Sequence, residues 1–163
     1  MKVIINGRFL IHRVTGVERY AREILSELDK IIEPEGIEMA VPPEVKDIPT
    51  YKNIKVVKLG KLHNRLWEHL SFPWYVHKNK GISLNLCNVA PLPAPGIVCI
   101  HDVKVKATPQ YFSKKFLLWY DLLLGNATKR ARKIITVSEF SKSEIVKYFQ
   151  INPDKITVIP NAW

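Results

Sequence analysis

At 163 residues, 47% hydrophobic and 25% charged, the chain has enough apolar side chain for one real core and lies outside the disordered classes. Its formal net charge of +10 is the unusual bulk feature, and composition alone leaves nucleic acid, an anionic membrane surface and phosphorylated ligands open as partners. Apolar runs are only strand-sized, the N-terminus lacks a signal-peptide layout, and Cys87 and Cys99 sit in apolar stretches without paired metal-ligand spacing. A cytosolic chain with buried reduced thiols and no zinc site is therefore expected.

In chain order, Lys2 to Asn6 reads as a short strand closed by Gly7. From Val17 the apolar residues Val17, Tyr20, Ala21, Ile24, Leu28 and Ile31 recur at helical spacing, and Thr15 with Glu18 has the spacing of a capping box. Pro34 and Gly36 end that helix. Strands are predicted at Ile37 to Val41 and Ile54 to Leu59, with a proline-containing loop between them. A helical stretch from Leu62 to about Lys80 contains Pro73, which is expected to kink or end it. Ile82 to Leu86 and Ile97 to Ile100 read as buried strands on either side of the extended loop Pro91 to Gly96. A helix from about Ser113 to Arg132, a strand at Ile134 to Val137, a helix at Ser138 to Phe149 and a strand at Ile156 to Ile159 complete the chain. Alternation of this kind predicts an α/β fold, a Rossmann-like doubly wound parallel sheet in a single domain over residues 1–163.

Such sheets collect ligands at the carboxyl ends of their strands. Gly16 opens the first helix, where backbone can approach a phosphate and the helix N-terminus favours anions, although a capped turn explains the same residues. The G-x-G-x-x-G of dehydrogenase-type dinucleotide binding is absent. His101 and Asp102 follow directly on a strand; the imidazole there can donate a hydrogen bond near neutral pH, and Asp102 either orients it or caps the turn. Ser138 caps the helix it precedes, and Ser141 with Glu144 offers a second box. Cations interleave with aromatics at Arg65, Trp67, Trp74 and Lys78 and again at Lys114, Lys115 and Trp119. That mixture suits a membrane interface or single-stranded nucleic acid, and equally a core with a solvated basic face.

Taken in order, these segments resemble the N-terminal domain of the family-4 retaining glycosyltransferases, whose GT-B fold sets two Rossmann-like domains face to face. The resemblance is carried by Thr15-Gly16-Val17-Glu18-Arg19-Tyr20, by His101-Asp102, and by Ile134 to Lys142 together with Lys155 to Asn161, and it spans nearly the whole chain. It implies that Gly16, preceded by Thr15, approaches the donor diphosphate, that His101 lies beside the transferred sugar, that Asp102 supports His101, and that Pro160 and Asn161 begin the interdomain hinge. Ser138 is then a structural or cleft-edge residue. Two positions depart from the family pattern: Thr15 stands where many relatives have a second glycine, and Ala162 where glycine is usual.

The resemblance further implies an acceptor-binding half whose nucleotide sugar is a substrate, with no cofactor and no metal, since cationic side chains take the ion's place. The second domain that binds most of the nucleotide sugar, with its basic pair and Glu-x7-Glu segment, has no counterpart in this sequence, so the chain alone is expected to be inactive. Expected partners are a nucleotide sugar, a glycan or lipid-linked acceptor, and an anionic membrane surface bound through Arg65, Trp67, Trp74, Lys78, Lys114, Lys115 and Trp119. This places the protein in the cytoplasm, peripheral on the inner face of the membrane. The competing readings are a non-enzymatic partner domain of a separate transferase subunit and, last because no recognised motif supports it, a basic nucleic-acid-binding α/β domain.

Overall fold

The computed structural model describes residues 2–161, which divide into two compact units, the first running to Leu86 and the second starting at Cys87. Both are parallel α/β layers, so the chain has the Rossmann-like α/β class that alternating strands and helices predict. No helix among the described residues is long and apolar enough to cross a membrane.

In the first unit, strands β1 (Val3–Asn6), β2 (Ile37–Val41), β3 (Lys55–Lys58) and β4 (Ile82–Asn85) pair in the order β3-β2-β1-β4, all parallel. Val3 stands opposite Ile37 on one side and Ile82 on the other, which makes β1 central here. A strand covered on both faces reads as a continuous apolar run, and Ile4 and Ile5 are fully buried accordingly. Gly7 follows because nothing larger fits: a Cβ there would lie 2.6 Å from Val41 Cγ1 and 2.7 Å from the Ala40 carbonyl oxygen. The chain then turns through a 3-10 segment, Gly7–Ile11.

Helix α1 (Gly16–Ile31) starts at Thr15, and Glu18 closes the capping box, accepting from the Thr15 N–H at 3.1 Å and from the Thr15 hydroxyl. Its core line is Ala21, Leu25 and Asp29, whereas Ile31 is 81% exposed. Asp29 is buried, and its carboxylate accepts the backbone N–H groups of Lys52, Asn53 and Ile54 at 2.7, 2.7 and 2.8 Å. That pins the loop leading into β3.

Pro73 neither ends nor interrupts the next helical stretch. Helix α2 (Asn64–Leu66) runs through a π segment, Trp67–Ser71, into α3 (Phe72–Lys78), and the Phe72 N–H reaches back to the Trp67 carbonyl. Proline lacks an N–H and crowds the carbonyl four residues earlier, and the widened turn before Pro73 accommodates both. Trp67, Phe72 and Val76 pack on Ile4 and Ala40 as this unit's helix-on-sheet core.

In the second unit, β5 (Ile97–Cys99), β6 (Lys133–Thr136) and β7 (Ile156–Val158) are parallel in the order β5-β6-β7. A short helix α4 (Lys104–Ala107), absent from the sequence-based prediction, precedes α5 (Lys114–Arg130); α6 (Glu139–Phe149) follows β6. Ser113 and Ser138 are the N-caps of α5 and α6, accepting from the N–H groups of Phe116 and Ser141. The core here is built from Val98, Ile100, Leu124, Ala127, Ile134, Ile145 and Ile156. Cys99 is buried and Cys87 half-buried, and neither is in a disulfide.

Candidate functional site

His101 leaves the carboxyl end of β5 with its main chain held from two directions. Its N–H donates to Asn88 Oδ1 at 2.7 Å, and its carbonyl accepts from Ser141 Oγ at 2.8 Å. Asn88 sits in the left-handed region, φ 58°, and its own N–H returns to the Cys99 carbonyl at 3.0 Å. Ser141 is held in turn by Ser138, whose hydroxyl accepts the Ser141 N–H at 3.0 Å and donates to Ser141 Oγ at 3.1 Å. The imidazole is nearly buried, with Nε2 3.6 Å from Cys99 Sγ. These bonds fix the backbone at the strand end, and the ring that it carries is 9% exposed.

Asp102 takes the turn-capping geometry: its exposed carboxylate accepts the Lys104 N–H at 3.0 Å and so starts α4. Its carbonyl accepts from the Tyr120 hydroxyl at 3.4 Å. Burial pushes the Tyr120 phenol well above its ordinary value, and the carboxylates of Asp102 and Asp121 push in the same direction.

In the first unit Thr15 and Gly16 are exposed at the start of α1. A Cβ built on Gly16 would meet nothing within 4 Å, and the residue does not need a positive φ. The fold's own packing therefore gives no reason for glycine there, in contrast to Gly7. The Glu18 carboxylate beside it stays charged: burial alone would raise it, but bonds from the Thr15 hydroxyl and nearby N–H groups outweigh that and hold it below its usual range.

Of the basic and aromatic residues, Arg65, Lys78, Lys114 and Lys115 are exposed, and Trp119 is half-buried. Trp74 is 58% exposed with Lys78 Nζ 5.0 Å from its ring centroid. Trp67 does not belong to a surface face: it is fully buried against Phe72, ring centroids 5.4 Å apart, and its indole N–H donates to the Leu59 carbonyl at 2.8 Å. Spacing among cations could not separate an inward tryptophan from an outward one. Pro160 and Asn161 are exposed and follow β7; Ala162 lies outside the described residues.

A buried polar cluster at the ends of β1 and β4 was not anticipated. Asn6 Nδ2 donates to Glu68 Oε1 and to Asn85 Oδ1, both at 3.0 Å, and Arg8 Nη1 lies 3.2 Å from Glu68 Oε2. Asparagines ending apolar strands and a glutamate inside an apolar helix signal only that partners are needed, not which ones.

Residues 14–162 match the model of Glycosyltransferase Family 4. The chain is similar to the O-antigen chain mannosyltransferase RfbU of Salmonella typhimurium, 23% identical over 173 aligned positions that cover 98% of this chain and 48% of the relative. It is also similar to the O-antigen chain mannosyltransferase B of Escherichia coli, 32% identical over 60 positions, covering 37% of this chain and 16% of that protein. The chain thus spans about half the length of the first relative and matches a smaller part of the second.

Proposed function

Because the chain belongs to Glycosyltransferase Family 4, whose model covers it from residue 14 to residue 162, we propose that it forms the acceptor-side half of a retaining, nucleotide-sugar-dependent glycosyltransferase. The observation that carries this reading is the rigid presentation of His101 at a strand end, its main chain fixed by Asn88 and Ser141. In the reaction, the bond between the sugar's anomeric carbon and the donor phosphate breaks and a bond to an acceptor oxygen forms on the same face. The acceptor proton leaves with the nucleoside diphosphate. His101 donates a hydrogen bond beside the sugar as positive charge develops on it, and the backbone at Gly16 lets the diphosphate come close to the start of α1. Thr15 and Glu18 shape that approach, Asp102 fixes the chain direction after His101, and Pro160 and Asn161 lead toward a partner domain that supplies the rest of the donor site.

Both relatives are O-antigen chain mannosyltransferases by name, so nucleotide-activated mannose is the first donor to test and a growing cell-surface glycan, free or lipid-linked, the first acceptor. The exposed Trp74–Lys78 pair and the exposed Lys114 and Lys115 favour a peripheral position on the cytoplasmic leaflet. The decisive assay supplies labelled nucleotide sugars to the native gene product and to residues 1–163 alone. Transfer by the former with retained anomeric configuration, and none by the latter, is expected. No transfer from any nucleotide sugar by the native gene product contradicts the reading.

A further inference from the structure

Cys99 is the last residue of β5, and His101 stands two positions on, the spacing that sends two side chains to one side of an extended chain. Their side chains meet there, Cys99 Sγ lying 3.6 Å from His101 Nε2. The backbone sets this meeting. Asn88 grips both residues: its N–H donates to the Cys99 carbonyl at 3.0 Å, and its Oδ1 accepts the His101 N–H at 2.7 Å. Between them, the Ile100 N–H donates to the Ile135 carbonyl at 2.8 Å, and the Ile100 carbonyl accepts from the Thr136 hydroxyl at 2.7 Å. The His101 carbonyl is held by Ser141. With the main chain fixed on both sides, side-chain rotation is the chief freedom left to sulfur and ring. Cys99 is fully buried and is not in a disulfide, and burial favours an uncharged thiol over a thiolate. Sulfur is a weak acceptor, whereas a bare imidazole nitrogen is a good one. A bond from S–H to Nε2 therefore leaves the ring's own donor unspent, and a bond from Nε2–H to sulfur wastes it. The nitrogen that carries the proton in a neutral histidine is set by the bond that the other nitrogen makes.

We infer that Cys99 is a positioning residue for the proposed transfer: its S–H donates to His101 Nε2 and fixes the neutral ring in the tautomer that carries its proton on Nδ1. Nδ1–H is then the group that donates beside the sugar. The role in transfer rests on the reading of His101 given above, and it adds which nitrogen donates and what holds the ring. Asn88 and Ser141 secure the main chain of His101, and Cys99 secures the imidazole. No proton changes hands between thiol and ring, so the bond orients a donor without consuming it.

The test is NMR of the native gene product, isotope-labelled at its histidine ring nitrogens, with no substrate present and at about pH 8, above the ordinary imidazole value. The His101 signals are assigned by their loss in His101→Gln. Expected is a ring protonated at Nδ1 and bare at Nε2, the same ring in Cys99→Ser, which keeps a donor, and a shift toward the Nε2-protonated form in Cys99→Ala. Protonation at Nε2 alone in the wild-type protein makes sulfur the acceptor, and protonation at both nitrogens makes the two side chains an ion pair; either overturns the inference. So does a tautomer that Cys99→Ala leaves unchanged. Transfer kinetics give the second readout: kcat should fall about five- to tenfold in Cys99→Ala with little change in KM, and Cys99→Ser should recover most of the loss. An unchanged kcat in Cys99→Ala, or equal losses in both variants, overturns the positioning role and leaves Cys99 as packing. The tautomer is read without donor or acceptor, so absence of transfer by the wild-type protein counts against the transferase reading while the NMR result still decides the bond.

Discussion

Ser141 Oγ donates to the His101 carbonyl at 2.8 Å, so the first turn of α6 holds in place the residue that ends β5. Both partners are buried, and removing the donor takes this bond from a buried carbonyl. Ser141→Ala is expected to cost about 1–3 kcal/mol of folding stability, read from the urea midpoint, and to lower transfer through the displaced imidazole. An unchanged midpoint would mean that the bond does not constrain the strand end.

The two glycines flanking the first loop separate packing from function. Gly7→Ala forces a Cβ into Val41 and the Ala40 carbonyl and should destabilise by roughly 1–3 kcal/mol. Gly16→Ala meets no atom of this chain and, at a helical start, should be neutral or stabilising by up to about 1 kcal/mol. Weaker donor binding by Gly16→Ala with an unchanged or higher melting temperature is the predicted signature of a residue kept small for its ligand.

Trp67 and Trp74 lie in one helical stretch but on opposite sides of the fold's boundary. Trp67→Ala removes a fully buried ring and its bond to Leu59, and about 3–5 kcal/mol should be lost. Trp74→Ala should change stability by less than about 0.5 kcal/mol while reducing vesicle binding. Equal stability losses in chemical denaturation would contradict this division.

Asp29 gives the first unit an acid-sensitive fastening. Burial acts to raise its carboxyl, but the N–H groups of Lys52, Asn53 and Ile54 outweigh that, and its folded value lies below the ordinary one. The sign follows: this stabilisation is complete above the unfolded value of about 3.9 and is lost as pH falls through the depressed folded value. Asp29→Asn should therefore be less stable than wild type at neutral pH, with the gap closing in acid. A gap independent of pH, measured by urea titration at both ends, would show that the charge is immaterial.

The sequence carried the fold well where one local rule decided the outcome. The strand ends at Asn6, Val41 and Ile97, the caps at Thr15 and Ser138, and the helix break ahead of Pro34 and Gly36 all follow from periodicity, capping and turn residues. It misled where distant partners decided. Pro73 signalled a break, yet a π turn absorbed it; Ser141 resembled a capping residue, yet its hydroxyl faces His101, while Glu144 pairs with Lys147 at 3.2 Å. At the candidate site, the place of His101 just after a strand and of Gly16 at a helix start was legible, while their roles come from the resemblance. Asn88, which holds the His101 N–H, and the Arg8–Glu68 pair were not, because they meet only after the strands align.

The central claim, that His101 stands beside the transferred sugar, is tested most directly by kcat/KM for sugar transfer by the native protein and its His101→Ala variant. Both main-chain bonds at His101 survive that substitution, so the strand end should stay in place. The account predicts a fall of about 10²-fold or more with a nearly unchanged unfolding midpoint. An unchanged kcat/KM in the folded variant would contradict it.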